Sequence, residues 1–410
     1  MTFDAAAVRA QFPILTREVQ GHPLHYLDNA ATTHLPQAVI DAIVRHETHD
    51  RANVLRGVHT LAEAATEAYE NARSEIAQYL NVASEEIVFT SGTTGGINLI
   101  ANSFGAGLGA GDEVLLSLLE HHSNIVPWQL LRERRGVVLK FLPVTADGRI
   151  DPAALEEMVS PRTKLISLVH VSNVTGAELN VGAVVEAAQT VGAKVLLDGA
   201  QRTAHGPLDL PALDVDFYAF SGHKMFGPNG VGVLWGRRAL LEDLPPFLGG
   251  GEMIRSVTPG ETTFADVPHK FEAGTPPIAQ AVGLGAAVRW IKSLNANAAE
   301  AHLRGLTARV LDGLAALDNG KGRIRVIGPT GLQARFPVVS FAIERAHPHD
   351  VCQMLDAHGV ALRGGHHCAQ PLMDRFDLTG TTRASLAVYN HNADVDAFLN
   401  GLEDAMARLT

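Results

Sequence analysis

Continuous apolar runs alternate with helical stretches along this chain, and this alternation restricts the fold more than any other feature. Seven runs have the length of strands, and they cover residues 86–90, 113–117, 137–142, 165–171, 194–198, 216–220 and 232–235. Unbroken apolar strands are typical of sheets that are buried on both faces. The order of strands and helices therefore predicts an α/β fold with a mostly parallel, seven-stranded sheet.

The chain has 410 residues, which is too long for one ordinary core. A long helix is predicted at 278–294, and the pattern then changes to mixed helices and strands, with strands at 338–343, 361–363 and 382–389. We therefore expect a large domain at 20–294. Residues 1–19 and 295–410 are expected to form a smaller α+β domain.

Charge and composition exclude several classes of protein. The net charge is −11, and such an acidic surface repels the phosphates of nucleic acids and of anionic lipids. No apolar run approaches the roughly 18 residues of a membrane span, and Asp4 and Arg9 interrupt the apolar N-terminal stretch. We therefore expect a cytoplasmic protein without nucleic-acid or membrane partners. Two cysteines, Cys352 and Cys368, exclude a disulfide framework.

Residues 91–96 form a turn of three hydroxyl residues and three glycines, where a predicted strand meets a helix predicted at 97–104. The free N–H groups of a helix start, with the hydroxyls of Thr93 and Thr94, suit a phosphate group. The turn is neither a Walker A loop nor a GxGxxG motif. Taken alone, an ordinary tight turn with a helix cap explains it equally well.

Two further strand ends carry reactive side chains. Asp198 ends the run at 194–198, at the edge where α/β sheets bind ligands. A pyridinium nitrogen suits a buried carboxylate, although a helix cap explains Asp198 better when it is taken alone. Ser221, His223 and Lys224 follow the next strand, where a desolvated lysine can attack an aldehyde. A phosphate turn, a strand-end aspartate and a strand-end lysine together predict pyridoxal phosphate, bound to Lys224 as a Schiff base.

A series of short motifs spans nearly the whole chain in a fixed order. They are Val8-Arg-Ala-Gln-Phe-Pro-Ile-Leu15, Tyr26-Leu-Asp-Asn-Ala-Ala31, Arg56-Gly-Val-His59, Gly92-Thr-Thr94, Glu120-His-His-Ser-Asn-Ile-Val-Pro-Trp128, His170-Val-Ser-Asn173, Asp198-Gly-Ala-Gln201, Ser221-Gly-His-Lys224, Phe271-Glu-Ala-Gly-Thr275, Arg363-Gly-Gly-His-His-Cys368 and Arg383-Ala-Ser-Leu386. In these motifs the chain resembles the class V aminotransferase group of fold-type I pyridoxal-phosphate enzymes. Within that group it resembles the SufS-type, or group II, cysteine desulfurases.

The resemblance implies a role for each residue around the cofactor ring. Lys224 is expected to carry the cofactor, and Asp198 is expected to face the pyridine nitrogen and keep it protonated. His121 is expected to stack on the ring and to move protons, and Gln201 to hydrogen-bond the phenolic oxygen.

The resemblance also implies the contacts of the phosphate and of the substrate. The expected phosphate contacts are Thr93, Thr94, Ser221 and His223, and Thr275 from the partner subunit of a homodimer. The expected contacts of the substrate carboxylate are Asn173 and Arg383, with Arg363 in the same pocket. No resident metal belongs to this set.

Sulfur transfer is assigned to Cys368 by the same resemblance. Its thiolate is expected to attack the sulfur of L-cysteine, which gives a persulfide on Cys368 and L-alanine, for iron–sulfur cluster assembly. Arg363, His366 and His367 lie within five positions, and cationic neighbours favour a thiolate. An inert buried thiol is the alternative for Cys368. Cys352 lies among apolar neighbours of a predicted helix, and we interpret it as a core residue.

Histidines are dispersed without the spacing of a zinc site, so we expect no built-in metal centre. His347-Pro-His349-Asp350 matches a His-Pro-His-Asp segment of the enzymes that this chain resembles. In those enzymes the second histidine can take a zinc ligand position in a complex with a SufU-like acceptor. A SufE-like protein is the other expected class of acceptor. A plain surface histidine at a helix start is the alternative for His349.

Two positions depart from the family pattern. Leu55 stands where many relatives have histidine, and Gly95 replaces a larger residue in the phosphate turn. The short span between Cys368 and Pro371 favours group II, whose restrained loop is associated with slow turnover and dependence on an acceptor. A selenocysteine lyase or cysteine-sulfinate desulfinase is the main alternative function. An aminotransferase, or a scaffold without activity, is less well supported by Cys368 and the complete set of site residues.

Overall fold

The computed structural model describes residues 3–409, which form 17 strands and 14 α-helices. The strands are β1 (Glu18–Val19), β2 (His22–Pro23), β3 (His25–Tyr26), β4 (Ile87–Thr90), β5 (Glu113–Ser117), β6 (Val138–Leu142), β7 (Thr163–Val169), β8 (Lys194–Asp198), β9 (Phe217–Ser221), β10 (Gly232–Gly236), β11 (Ile254–Val257), β12 (Thr262–Phe264), β13 (Ile324–Ile327), β14 (Val338–Ile343), β15 (Val360–Ala361), β16 (Arg363–Gly365) and β17 (Thr381–Ser385). The helices are α1 (Ala5–Arg9), α2 (Gln37–Arg45), α3 (Thr60–Leu80), α4 (Thr93–Ser103), α5 (Val126–Arg135), α6 (Pro152–Met158), α7 (Val181–Val191), α8 (Leu210–Leu213), α9 (Arg238–Asp243), α10 (Ile278–Lys292), α11 (Ala296–Asp318), α12 (Pro348–Asp356), α13 (Gln370–Arg375) and α14 (Asn392–Leu409).

The largest sheet has seven strands in the order β4-β10-β9-β8-β7-β5-β6. Strand β10 is antiparallel to β4 and β9, and the remaining neighbours pair in parallel. This arrangement confirms the predicted α/β fold with a mostly parallel, seven-stranded sheet. Because all sheet neighbours except β10 run in one direction, the carboxyl ends of β8 and β9 meet at one edge.

Both faces of this sheet are buried. On β8, Val195 and Leu197 point into one hydrophobic core, whereas Leu196 points into a second core on the opposite face. This two-sided burial explains why the strands are unbroken apolar runs in the sequence. Strand β6 lies at the edge of the sheet, and its Val138 is exposed.

The polypeptide makes a sharp turn after β4. Gly92 has a φ of +112°, a conformation that glycine adopts without steric cost. Helix α4 then begins at Thr93, four residues before the predicted start at 97. The prediction placed Thr93 and Thr94 in a loop and was wrong there, because glycines at 95 and 96 obscured the first helical turn in the sequence.

The C-terminal part contains a four-stranded antiparallel sheet in the order β13-β14-β17-β16, which packs against α11, α12 and α14. The sequence analysis missed β13, α13 and the β11–β12 hairpin. Strand β3 pairs in parallel with β15, so the N-terminal segment is joined to this part of the molecule. The division into domains at 20 and 295 stays a prediction. Among residues 3–409, no helix combines the length and the apolar character that a membrane span needs.

Candidate active site

One cavity of about 300 Å³ opens at the carboxyl ends of β8 and β9. It brings together side chains that are distant in the sequence, since Ala30 and Arg383, which are 353 positions apart, both line it. All predicted site residues except Thr275 line this cavity, namely Thr93, Thr94, His121, Asn173, Asp198, Gln201, Ser221, His223, Lys224, Arg363, Cys368 and Arg383.

At one end of the cavity, the start of α4 faces the end of β9. The backbone N–H of Thr93 donates to Ser221 Oγ at 2.8 Å, and Thr93 Oγ1 lies 2.8 Å from the same atom. The first N–H groups of a helix have no intrahelical acceptor, and the helix dipole adds partial positive charge. This end of the cavity therefore has the donors that bind a phosphate.

Asp198 and Lys224 face each other on neighbouring strand ends. Asp198 is buried and accepts a hydrogen bond from the N–H of Ala200 at 2.9 Å. Burial raises the pKa of Asp198, and the charge of Lys224 opposes this rise. Burial lowers the pKa of Lys224, and Asp198 partly offsets that effect. A lysine whose neutral form is favoured is a competent nucleophile toward an aldehyde.

His121 lies on the same cavity wall, before a short 3-10 helix at His122–Asn124. Its Nδ1 accepts the N–H of Ser123 at 3.1 Å, so the proton of the neutral ring is on Nε2. Burial, with the charge of Lys224 second, lowers the pKa of His121 to about 3. The ring is therefore neutral at physiological pH.

Gln201 is buried, and its Nε2 donates to the carbonyl oxygen of Ala30 at 2.7 Å. This bond fixes the orientation of the amide and leaves its second N–H for another acceptor. Ala30 and Ala31 themselves line the cavity, which the sequence analysis did not predict. The motif that ends with Ala30 and Ala31 is one of those that carry the family resemblance, but its residues do not indicate that it lies next to Gln201.

Arg383 is 2% exposed and lies on the central strand of the small sheet. Its Nη1 donates to the carbonyl oxygen of Asn173 at 3.0 Å, and its Nη2 lies 3.2 Å from Asp28 Oδ1. Arg363 forms a second ion pair with Asp28, at 3.0 Å. The sequence analysis missed Asp28 as a site residue, because 355 positions separate it from Arg383.

Three buried polar atoms of residues that line the cavity have no hydrogen-bond partner among residues 3–409, namely Asn173 Oδ1, His367 Nδ1 and Arg383 Nε. An unpaired buried donor next to the cavity suits an incoming carboxylate, for which arginine is the preferred partner.

Cys368 is exposed and lines the cavity. His367 and Cys368 have φ values of +51° and +55°, in the left-handed region that side chains other than glycine rarely adopt. Two hydrogen bonds hold this conformation: the N–H of Cys368 donates to His366 Nδ1 at 3.0 Å, and its carbonyl oxygen accepts from the N–H of His122 at 2.8 Å. The predicted exposed thiol is therefore held on a restrained loop.

The expected cationic role of His367 beside Cys368 is wrong. His367 is buried, its Nε2 lies 2.9 Å from Thr381 Oγ1, and burial lowers its pKa to about 2. The cationic neighbour of Cys368 is Arg363, which interacts electrostatically with the thiol.

Thr275 lies outside the cavity, in an exposed position before α10. It lines a separate groove with Ser91 and Gly95, which belong to the other side of the phosphate turn. The backbone at 95 leaves little room for a larger residue, because a Cβ there would lie 2.7 Å from Ser91 Oγ.

Cys352 lies on α12 and is half-buried, and burial raises its pKa to about 12. It is therefore an unreactive thiol, and it lies at the edge of the core to which the sequence assigned it. His349 is exposed at the start of the same helix, and its ring lies beside Gly364 and Gly365 of β16. Within residues 3–409, no group of three or more histidine, cysteine or acidic residues is arranged to hold a metal ion.

The donors around the cavity fit the pyridoxal phosphate that the sequence predicts. Phosphate donors lie at the start of α4, Asp198 is a buried carboxylate that no cation within residues 3–409 hydrogen-bonds, and Lys224 has a lowered pKa. A protonated pyridine nitrogen would compensate the buried charge of Asp198.

Residues 25–398 match the model of the family described as aminotransferase class-V. The chain belongs to this family. Its predicted fold-type I architecture is confirmed by similar solved structures, among them the crystal structure of the cysteine desulfurase CsdA (S-sulfonic acid) from Escherichia coli. That structure has a TM-score of 0.91 and 38% sequence identity, over 100% of each chain.

Other members of the class V aminotransferase family are similar over nearly their whole length. A probable cysteine desulfurase of Streptomyces coelicolor is 48% identical over 407 residues, which are 98% of this chain and 96% of that protein. A cysteine desulfurase of Escherichia coli (strain SE11) is 44% identical over 98% of each chain. A solved C-DES mutant with glycine covalently linked to its PLP cofactor has a TM-score of 0.82 and 25% identity, over 97% of this chain and 99% of that one. The family and this neighbour support the predicted cofactor.

Proposed function

We propose that this chain is a pyridoxal-phosphate-dependent cysteine desulfurase, which converts L-cysteine to L-alanine and leaves a persulfide on Cys368. One observation carries the proposal: an exposed thiol opens into the cavity that also contains Lys224, Asp198 and Arg383. An aminotransferase has no use for such a thiol. The names of the relatives described above agree with this function.

When bound, pyridoxal phosphate supplies an electron sink for the bonds at the substrate Cα. In the proposal, the start of α4 and Ser221 hold its phosphate, and Asp198 faces its ring nitrogen. Lys224 supplies the amine that binds the cofactor and moves a proton at the substrate Cα. His121 would stack on the ring and would donate from Nε2, the atom that carries its proton.

Arg383 and Asn173 are proposed to bind the substrate carboxylate. The unpaired Nε of Arg383 is available to donate to this carboxylate. The backbone carbonyl oxygen of Asn173 accepts from Nη1 of the same guanidinium group. Cys368 lines the same cavity as these two residues, so a substrate held by its carboxylate shares the cavity with the thiol. Arg363 lines the mouth of the cavity, and its side chain is half exposed. Its charge therefore acts on Cys368 at the mouth and not on groups in the buried interior of the site.

The sulfur transfer is balanced without an external oxidant. The Cys368 thiolate forms an S–S bond to the substrate sulfur while the C–S bond of the substrate breaks. The electron pair of that bond goes to the substrate carbon, which takes up a proton and becomes the methyl group of alanine. The sum is L-cysteine plus the Cys368 thiol giving L-alanine plus the Cys368 persulfide.

Alanine release from Cys368→Ala, with cysteine and with selenocysteine as substrates, tests the proposal. We expect loss of cysteine turnover in Cys368→Ala and wild-type turnover in the control Cys352→Ala. Cysteine turnover that survives in Cys368→Ala would refute the mechanism. A selenocysteine lyase or cysteine-sulfinate desulfinase is the alternative function, and it predicts that the physiological substrate reacts without Cys368, because selenium and sulfite leave more readily.

A SufS-type role in iron–sulfur cluster assembly is the finer part of this proposal, with a SufU-like or SufE-like acceptor of the persulfide sulfur. The exposed ring of His349 lies beside the strand that leads to Cys368, which supports a contact with a docked acceptor. For a SufU-like zinc protein, His349→Ala should lower acceptor-stimulated turnover and leave basal turnover unchanged. His22→Ala, at another exposed histidine, is the control.

We also propose that the enzyme is a homodimer in which Thr275 of each subunit contacts the phosphate in the other. The groove beside Thr275 includes Phe247 and Leu248, which are 39% and 53% exposed, as expected of an uncovered interface. Light scattering should give twice the chain mass. Thr275→Val should weaken cofactor binding, and Thr258→Val, on the exposed hairpin, should not. The cytoplasmic location stays a prediction.

A further inference from the structure

A second cavity of about 200 Å³ lies between the end of α10, the first half of α11 and residues 332–337. Lys224 and Cys368 do not line it. Most of its wall is apolar, with Ile291, Leu303 and Phe336 as the large side chains. A cavity of about 150 Å³ already accepts a benzene-sized molecule, so this one has room for a small organic ligand.

Arg335 is an unusual part of this wall. It is 6% exposed, and its Nη2 donates to the carbonyl oxygen of Val338 at 3.0 Å. Its Nε and Nη1 are buried and have no hydrogen-bond partner among residues 3–409. A buried guanidinium with two unpaired donors is costly unless an anion compensates it. Burial, with the charge of Arg149 second, lowers its pKa to about 10, so it still carries its charge at neutral pH.

The other charged side chains do not supply that anion. Arg202 and Arg304 also line the cavity, and each donates to a backbone carbonyl oxygen. Glu178 and Glu300 supply two negative charges against these three arginines, which leaves one positive charge. The one histidine in the lining is neutral, because burial lowers the pKa of His205 to about 3.

We propose that this cavity binds a small monocarboxylate with an aromatic or branched apolar group, whose carboxylate pairs with Nε and Nη1 of Arg335. One negative charge neutralises the excess positive charge, and the apolar group covers Ile291, Leu303 and Phe336. An inorganic anion leaves this apolar wall uncovered, and an uncharged hydrocarbon leaves Arg335 unpaired. Only a molecule with both parts satisfies the whole lining.

The position of the cavity makes this site distinct from the active site but adjacent to it. A smaller cavity lies between the two: it shares Leu303 and Pro337 with the proposed site, and Gln201 and Lys224 with the active site. The proposal does not depend on the desulfurase reaction, because its test measures binding rather than turnover.

Titration calorimetry of the holoenzyme with benzoate tests the proposal. We expect one benzoate per chain, and binding about ten-fold weaker or more for benzamide, which keeps the ring but lacks the charge. Arg335→Met should weaken benzoate binding by a similar factor. The control Arg309→Met, at an exposed ion pair on α11, should bind benzoate like the wild type.

Two further variants distinguish benzoate bound in this cavity from benzoate bound in the active site. Ala296→Trp, at the exposed rim of the cavity, should block benzoate without disturbing the core, which keeps the test valid if Arg335→Met does not fold. Arg383→Gln should leave benzoate binding intact, because Arg383 does not line the proposed cavity. Benzoate that was bound in the active site would instead be lost in this variant. The proposal is overturned by absence of benzoate binding, by equal binding of benzamide or inorganic phosphate, or by unchanged binding in both Arg335→Met and Ala296→Trp.

Discussion

Arg363 and Arg383 occupy opposing positions on the antiparallel strands β16 and β17. One carboxylate, that of Asp28, contacts both guanidinium groups at 3.0–3.2 Å. Asp28 lies just after β3, so the N-terminal segment supplies the counter-charge for two arginines of the C-terminal sheet. This contact keeps Arg383 in place while one of its buried nitrogens stays free.

Asp28→Asn should therefore raise the KM for cysteine by about ten-fold, with a smaller change in kcat, because the two arginines then repel each other across the strand pair. Steady-state alanine production measures both constants. The control is Asp396→Asn, which breaks an exposed ion pair with Arg309. An unchanged KM in Asp28→Asn would show that Asp28 does not position Arg383.

Lys224→Ala should abolish covalent capture of the cofactor. Borohydride treatment of the wild type should leave the cofactor attached to the chain in mass spectrometry, and the same treatment of Lys224→Ala should not. Lys270→Ala is a matched control, because Lys270 is also a buried lysine whose pKa is lowered by burial. Covalent attachment in Lys224→Ala would place the reactive amine elsewhere.

Glu272→Gln should lower the free energy of unfolding by about 3 kcal/mol, because it removes the buried one of the two carboxylates that pair with the buried guanidinium of Arg73 and leaves only the more exposed Glu70. Glu272 accepts from both Nη atoms of Arg73 and from the N–H of Phe89. Urea unfolding measures the effect. Glu242→Gln breaks an exposed pair with Arg238 and should cost less than about 0.5 kcal/mol. Equal losses in the two variants would contradict this account.

Stability should fall as the pH falls below neutrality. Burial lowers the pKa of His170 to about 3, so below the unfolded-state pKa of 6.5 the unfolded chain binds more protons than the folded chain. The stability that the neutral ring contributes is present above pH 6.5 and is lost between about pH 6.5 and 3. His170→Asn should reduce the slope by up to about 1.4 kcal/mol per pH unit. Urea unfolding at several pH values measures the slope, and an unchanged slope in His170→Asn would contradict this account.

The sheet was predictable because its strands are buried on both faces, and a strand such as β8 therefore has no polar position between Lys194 at its start and Asp198 at its end. The β11–β12 hairpin was not predictable in this way, because its residues are mostly exposed and lack an apolar pattern. Strand β13 was missed for a similar reason, since Arg325 interrupts its short apolar run.

The candidate site could be predicted from the sequence wherever the residues of a single motif already indicate a ligand. The phosphate turn, Asp198 and Lys224 each lie at a strand end, where local sequence already indicates a ligand. The role of Asp28 depends on contacts with residues more than 330 positions away, and the neutral state of His367 depends on Thr381. Burial and long-range pairing of this kind leave no local signal in the sequence.

The two left-handed residues at the cavity mouth limit how far the sulfur can travel. Because the amide of His122 holds the carbonyl oxygen of Cys368, the thiol can reorient by rotation about its Cα–Cβ bond but cannot move away with a flexible loop. Under the proposed function, a carrier must therefore come to the enzyme and present its own nucleophile within bonding distance of a fixed point. The shape of that proposed carrier around its nucleophile, rather than the reach of the enzyme, would then decide which carrier receives the sulfur.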